Sequence, residues 1–361
     1  MVLSIVVYSF AFANTIFWVS KYKPINKKSK LLGLLPFLFA LLPLVLIAAF
    51  RAPSVGTDTG IAYYQYYYLE YGNSYKSIFD SSEFGFIALV KIGYFLFHSY
   101  NGFLFIVAFF ITFFSLVGLL NSSTEQMVAY SCLLFLAFIY FDSFNIMRQM
   151  CAVSLIFAAL PLLKKNRLLL FILIVLLSSI FHNSSIICLL IPLFYILRKK
   201  GFILIKILLL FILGLLPFIL PFVFQQLSNV SYFSKYVLLY SNFQFSVSFL
   251  SLSLFIYNLP IYFIVAFYGK ELLKKDTFNY VLLMMCFMSA VCALFKLSIV
   301  WVSRLYLYFS ISYCFLLPEC IKLSANKTVL SLALVAYSVL FFIFFYFIRG
   351  NSDIVPYKFY F

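Results

Sequence analysis

The chain has 361 residues, of which 65% are hydrophobic, 22% aromatic and only 10% charged, and its formal net charge is +16. Its mean hydropathy of +1.09 lies far outside the range of water-soluble globular proteins. A helix needs about 20 apolar residues to cross a hydrocarbon core about 30 Å thick. The composition therefore predicts an all-α integral membrane protein and excludes a chain built mainly of soluble domains.

Apolar runs recur from the first residues almost to the last. They predict about twelve transmembrane helices, at 2–20, 31–50, 101–120, 128–145, 149–163, 168–181, 184–197, 203–224, 246–268, 280–298, 304–320 and 329–348. The first run lacks the basic start and the cleavage site of a signal peptide, so we interpret it as a retained span. Residues 1–361 are then assigned to a single polytopic membrane domain.

Basic residues lie in short clusters between the apolar runs, at 21–30, 164–167, 198–206, 270–275 and 322–327. The positive-inside rule places such clusters in the cytoplasm, which accounts for the net charge without a nucleic-acid partner. On this topology both termini face outward, as do loops at about 51–100 and 225–245. The apolar segment 84–98 would invert everything downstream if it crossed the membrane, so we predict a re-entrant or interfacial helix there.

Three arginines lie near the predicted outer ends of spans: Arg51, Arg148 and Arg304. A guanidinium presents a planar fork of donors that binds phosphate oxygens bidentately, so arginines gathered at a lipid surface suit a lipid diphosphate. The alternative is that each arginine only extends its charge to the lipid headgroups. The sequence leaves both interpretations open.

Candidate acids and bases accompany these arginines on the predicted outer side. Asp58 follows a Gly-Thr pair, Glu83 precedes the segment 84–98, and His182 ends a predicted span. Each of them is able to orient or deprotonate a sugar hydroxyl, although an aspartate in a turn and a lone histidine are often structural. Tyr63 begins the tyrosine-rich stretch 63–71, which is either a stacking surface for sugars or an ordinary interfacial aromatic belt.

Several familiar motifs are missing from the sequence. The chain has no Walker A loop, no H-E-x-x-H and no G-x-S-x-G, which disfavours an ATP-driven pump or a zinc protease. Its cysteines lie in or beside apolar runs without C-x-x-C spacing, as is typical of packing residues. We therefore expect no metal site and no cofactor.

Four separated motifs resemble the EpsG family, which belongs with the Wzy-type O-antigen and exopolysaccharide polymerases. They are Arg51-x4-Gly56-Thr57-Asp58 with Tyr63; Glu83-Phe84-Gly85-Phe86; Arg148-Gln149 with Phe181-His182-Asn183-Ser184; and Ser303-Arg304-x-Tyr306 with the closing Pro356-Tyr357. Together they span nearly the whole chain. Cys151 departs from the pattern, because a more ordinary helix former is expected there.

The resemblance implies a metal-independent glycosyltransferase in the cytoplasmic (inner) membrane of a bacterium, with a fold related to the lipid-dependent, GT-C-like transferases. A growing glycan would leave its undecaprenyl diphosphate carrier and join an incoming undecaprenyl-diphosphate-linked repeat unit on the outer face. The product would be O-antigen, capsule or exopolysaccharide. A chain-length regulator would be a further partner.

The resemblance also implies roles for particular residues. Those that would hold the diphosphates or the sugar are Arg51, Arg148, Arg304, Tyr63, Gln149 and Tyr306. Those that would act in catalysis, as base or in stabilising the leaving group, are Asp58, Glu83, His182, Arg148 and Arg304. Two other functions stay open: a lipid-linked oligosaccharide flippase, which predicts charges along both halves of a cavity, and an O-antigen ligase that uses the same donor.

Overall fold

The computed structural model describes residues 1–22, 30–64, 83–122, 127–199, 201, 203–227, 249–297 and 300–360. The described residues are 84% helical, and no strand is found among them. The chain divides into two compact units, Met1–Leu189 with Ser324–Phe361 and Leu190–Leu323, which are described separately below. The predicted loop at 225–245 and most of the tyrosine-rich stretch 63–71 lie outside the described residues.

The first unit contains eight of the α-helices within the described ranges. They are α1 (Val2–Lys21), α2 (Lys30–Ala49), α3 (Phe84–Phe97), α4 (Tyr100–Ser122), α5 (Val128–Phe138), α6 (Met147–Lys164), α7 (Leu168–Ser179) and, after the second unit, α16 (Lys327–Phe342). Shorter helical segments of 3₁₀ or π type join or extend them at Thr59–Tyr64, Tyr140–Phe144, Asn183–Leu189, Ile343–Ile348 and Asn351–Asp353.

The core of the first unit lies around α4, which packs against α2, α3 and α6. Gly118 allows the close approach of α4 to α6, because a Cβ at this position would lie 2.5 Å from the carbonyl oxygen of Phe157. Small residues at such contacts are typical of helix packing in membranes, where close van der Waals contact replaces the hydrophobic effect as the driving force.

The helices α6 and α7 form an antiparallel pair whose two ends differ in chemistry. Arg148 lies in the first turn of α6, and α7 leads back to His182. The opposite end carries Lys164, Lys165 and Arg167, all of them exposed. Since α6 has 18 residues, the two ends are separated by about 27 Å along the helix axis.

The second unit contains α8 (Leu190–Leu197), α9 (Ile203–Leu227), α10 (Phe249–Phe267), α11 (Gly269–Lys275), α12 (Asn279–Leu294), α13 (Val300–Ser303), α14 (Tyr306–Ser310) and α15 (Tyr313–Leu323). The other helices pack around α12. The chain bends by 55° between α10 and α11. Glu319 of α15 secures this bend, because its two carboxylate oxygens accept from Lys275 and Lys322 at 2.6 Å each.

Five helices among the described residues are long and apolar enough to cross a membrane, or up to six if the bent pair α10 and α11 counts as one span. Six further apolar helices of 10–17 residues accompany them, including Phe84–Phe97. The chain is thus an all-helical, multi-pass membrane protein, whereas the count of twelve full spans stays a prediction. At 14 residues, α3 is about 21 Å long and shorter than the hydrocarbon core, which agrees with a helix that does not cross fully.

Two predicted spans are interrupted within the described residues. The span 128–145 is α5, which ends at Phe138, followed by the 3₁₀ segment Tyr140–Phe144, whose last carbonyl accepts from the Thr59 hydroxyl at 2.7 Å. The span 304–320 is divided between α14 and α15. The hydroxyls of Ser310 and Ser312 bond the carbonyls three residues before them, a local alternative to the regular helix.

Candidate active site

Glu83 connects two residues that are distant in sequence. It lies immediately before α3 and is 3% exposed. One carboxylate oxygen, Oε1, lies 2.5 Å from Nδ1 of His182, and the other, Oε2, accepts a hydrogen bond from Nη1 of Arg148. A carboxylate, a guanidinium and an imidazole therefore meet in one cluster, which we call the Glu83 cluster.

The backbone around Gly85 brings α3 and the turn after α7 together. The Gly85 amide donates to the Ile180 carbonyl at 2.9 Å. A Cβ at Gly85 would lie only 2.7 Å from the Ile180 side chain, so a larger residue would push the two segments apart. The glycine of the Glu83-Phe84-Gly85-Phe86 motif thus places Glu83 within reach of His182, two residues beyond Ile180.

Arg148 has a second partner in the first unit, the hydroxyl of Tyr63. The Tyr63 ring packs edge-on against Phe86 at a centroid distance of 5.8 Å, and the residue is 3% exposed. With its ring enclosed, Tyr63 is placed to hold Arg148 rather than to stack on a sugar. Gln149, next to Arg148, is buried as well.

The charges of the cluster decide which member is able to accept a proton. Burial opposes ionisation of Glu83, but the hydrogen bond to His182 and the charge of Arg148 outweigh it and hold the pKa of Glu83 below its ordinary value. Glu83 is therefore a carboxylate at neutral pH and a weak base. Because a carboxylate only accepts, Nδ1 of His182 carries the hydrogen of this bond, and Nε2 is the ring nitrogen left to meet a substrate.

Asp58 lies near this cluster and is tied to the backbone around it. Its amide donates to Oδ1 of Asn145 at 3.3 Å, and its charge acts on Tyr63. The Nδ2 of Asn145 donates in turn to the Ser352 carbonyl at 3.1 Å. Asn145, three residues before Arg148, thus joins three separate segments of the chain. The sequence did not predict this role, because nothing in the residues around Asn145 indicates it.

Arg51 occupies a different environment from that of Arg148. It is 2% exposed, its guanidinium donates to the carbonyls of Ala48 and Phe144 at 2.5 and 3.3 Å, and it lies over the Phe144 ring at 4.4 Å. The sequence analysis predicts Arg51 at an open diphosphate site, but the structure places it in the interior. Its role in binding substrate stays a prediction.

The C-terminal segment covers the region around Arg51. The Tyr357 amide donates a hydrogen bond to the Ser4 hydroxyl at 2.7 Å, and the Tyr357 hydroxyl donates one to the Ile47 carbonyl at 3.0 Å. The Tyr8 hydroxyl donates to the Ile354 carbonyl at 2.5 Å. The closing Pro356-Tyr357 motif therefore fixes the end of the chain against α1 and α2.

Arg304 and Tyr306 belong to the second unit. Arg304 lies in the turn between α13 and α14 and is partly exposed, whereas Tyr306 is 8% exposed. Lys296, eight residues earlier, donates to the Ser253 hydroxyl at 3.0 Å.

All seven cysteines are buried free thiols, in agreement with their interpretation as packing residues. No group of three or more His, Cys, Asp or Glu side chains suited to hold a metal ion is found within the described ranges.

The EpsG family model matches residues 34–359. The chain belongs to the EpsG family. This family is a Wzy-like polymerase family, and the match includes every residue of the Glu83 cluster together with Arg51, Asp58 and Arg304. Neither a curated protein nor a solved structure matches this EpsG-family chain.

Proposed function

We propose that this EpsG-family protein is a metal-independent membrane glycosyltransferase that polymerises a surface polysaccharide. It joins undecaprenyl-diphosphate-linked repeat units on the outer face of the cytoplasmic membrane, on a GT-C-like framework of about twelve spans. The observation that carries the proposal is the Glu83 cluster, in which one buried carboxylate holds both Arg148 and His182 within the matched region.

The proposed reaction needs a base and a charged group for the leaving diphosphate. The oxygen of the acceptor hydroxyl bonds to the anomeric carbon of the donor glycan as the bond from that carbon to the diphosphate oxygen breaks. His182 Nε2 takes the hydroxyl proton, and the electron pair stays on the departing lipid diphosphate. His182 suits this role because its side chain is 26% exposed while Glu83 fixes its tautomer and orientation.

Arg148 is assigned to the diphosphate. Its side chain is 27% exposed, so it is open to a substrate while Glu83 and Tyr63 fix its position. A diphosphate already departs readily, and positioning together with charge neutralisation is the main help that it needs from the enzyme. Arg304 of the second unit is proposed for the same chemistry, with Tyr306 and Gln149 as further substrate contacts.

The remaining predicted residues receive supporting roles in this proposal. Glu83 is a positioning residue, since both of its oxygens are engaged inside the protein. Arg51 also positions, because it ties the end of α2 to the Phe144 backbone. Asp58 is proposed to bind the acceptor sugar, as its side chain is partly exposed beside Asn145.

The pair α6 and α7 supports the proposed outer location. Lys164, Lys165 and Arg167 are exposed at the end away from His182, and the positive-inside rule assigns such a cluster to the cytoplasm. The Glu83 cluster then faces outward, where an exported lipid-linked glycan is available. A chain-length regulator would act from the same side.

A labelling experiment tests this orientation. Because the seven native cysteines are buried, a cysteine introduced at an exposed position supplies the accessible thiol. In intact cells Asn183→Cys, beside His182, should react with an impermeant thiol reagent, and Lys165→Cys should react only after the cells are permeabilised. Reaction of Lys165→Cys alone in intact cells would reverse the orientation and contradict the proposal.

Deletion of the gene, followed by gel analysis of the surface glycan, tests the function itself. A polymerase predicts loss of the size ladder while single repeat units still reach the surface. A ligase predicts loss of all surface transfer, and a flippase predicts that lipid-linked units accumulate on the inner leaflet. A ladder that persists unchanged would refute the proposed polymerisation.

A further inference from the structure

An apolar groove of about 670 Å³ runs along the first unit between α1 and α16, with α5 as its floor. Its walls include Ile5, Phe12 and Ala13 on one side, Phe342 and Ile348 on the other, and Ala137 below. Along α1 the groove extends from Met1 to Ile16, a length of about 22 Å at 1.5 Å per residue. This length exceeds the thickness of one hydrocarbon leaflet, about 15 Å, so an extended hydrocarbon chain that enters from one side has room in the groove.

A π-helix that directly follows α16 lines one end of the groove. Residues Ile343–Ile348 form a π-helix, in which each turn holds an additional residue, and three of them line the groove. Ile348 is 67% exposed and Ile5 48% exposed, so protein atoms leave much of the wall uncovered. Such a wall favours hydrocarbon over water as its occupant.

The end of the groove beside this π-helix is followed by a positive charge. Arg349 directly follows the π-helix and is exposed, and no ion pair is found for its side chain within the described residues. The nearby acid Asp353 accepts from the Thr57 hydroxyl at 3.1 Å. An anionic headgroup above an inserted chain would therefore meet the Arg349 guanidinium first, which suits phosphate oxygens.

The segment after Arg349 leads from the groove to the Glu83 cluster. The Ser352 carbonyl is bonded by Asn145, which also holds the Asp58 amide and lies three residues before Arg148. A headgroup at Arg349 thus lies at the same end of the first unit as the proposed catalytic residues. For a bulk phospholipid, the connection from the groove to the Glu83 cluster has no use. For a lipid that carries a saccharide, it brings the saccharide to the proposed catalytic residues.

We propose that the groove between α1 and α16 binds the hydrocarbon chain of the lipid-linked saccharide, with Arg349 contacting its phosphates. The identity of the lipid rests on the proposed function. The lipid binds before it reacts, however, so its binding to the groove is measured without the polymerisation reaction.

The experiment uses the full chain in lipid nanodiscs with a diazirine-bearing polyisoprenyl phosphate as the probe. Cross-linked peptides mapped by mass spectrometry should come from α1 and α16, and unlabelled undecaprenyl phosphate should compete with the probe. Ala13→Phe and Ser9→Phe, which fill the groove, should abolish this labelling. Ala266→Phe, an equal enlargement on an exposed face of α10, should leave it unchanged.

Arg349→Gln should weaken competition by undecaprenyl phosphate about two- to fivefold, the size expected for one exposed charge pair. Equal competition by phosphatidylglycerol would overturn the proposal, because bulk lipid would then fill the groove. Full labelling in both filled variants, with melting temperatures like that of the parent protein, would overturn it too. His182→Asn should keep the labelling. Failure of the proposed catalysis, seen as loss or retention of polymer, is therefore distinguished from failure of the proposed lipid binding, seen in the labelling.

Discussion

Replacing His182 with asparagine is expected to lower polymer formation by about 10²- to 10⁴-fold, the usual contribution of a general base. Asparagine retains a polar side chain near Glu83 but has no group that accepts a proton at neutral pH. The protein should still reach the membrane in normal amount, because the bond between Glu83 and Arg148 does not involve the histidine. The measurement is the glycan size ladder, with protein abundance from a tagged copy.

The chain supplies its own control, since it contains two histidines. His98 is exposed at the end of α3, where its backbone has a left-handed φ of 48°. Asparagine tolerates that conformation better than most residues, so His98→Asn should keep the fold and the full ladder. A full ladder in His182→Asn, or an equal loss in both variants, would remove His182 as the base.

The sequence predicted that Glu83, Arg148 and His182 gather on one side of the membrane, but not which of them pair in the Glu83 cluster. Glu83 lies 65 positions from Arg148 and 99 from His182. Motifs at such separations carry no information about which side chains meet. That Glu83 engages both partners, and so serves as a positioning residue, depends on the Gly85 contact with Ile180 across two helices.

Arg51 and Arg148 show that the residues next to an arginine in the sequence do not predict its surroundings in the fold. Both are arginines at the edge of an apolar run, and the sequence analysis treats them alike. The structure separates them, because the Arg51 side chain turns back onto the Ala48 carbonyl and lies over the Phe144 ring. Its surroundings come from the C-terminal segment and the 3₁₀ turn Tyr140–Phe144, and tertiary partners of this kind are not encoded in the residues beside an arginine.

The helical, membrane-embedded nature of the fold was predictable because it follows from composition, which is a property of the whole chain. The interruptions of helices were not. Phe144 leaves the helical hydrogen-bonding pattern since its carbonyl is bonded by Thr59 and Arg51, two residues of another segment. Helix ends set by such tertiary bonds lie inside continuous apolar runs, where the sequence does not mark them.

Arg51 and Arg148 should respond in opposite ways to the same substitution. Arg148→Lys keeps the charge beside Glu83 but loses the planar fork, so we expect a melting temperature like that of the parent protein and polymer formation lower by about 10²- to 10³-fold. Arg148→Ala should abolish the polymer. Arg304→Ala tests the corresponding role in the second unit with the same assay.

Arg51→Lys should instead destabilise the protein by about 2 kcal/mol or more, because a compact ammonium cannot reach the carbonyls of both Ala48 and Phe144 in a site that is 2% exposed. Thermal melting of the detergent-purified variants separates the two effects, and the ladder normalised to folded protein reports activity. If Arg51→Lys melted normally yet made no polymer, Arg51 would belong with the substrate-binding residues. A normal ladder in Arg148→Lys would show that charge without fork geometry is sufficient for the diphosphate.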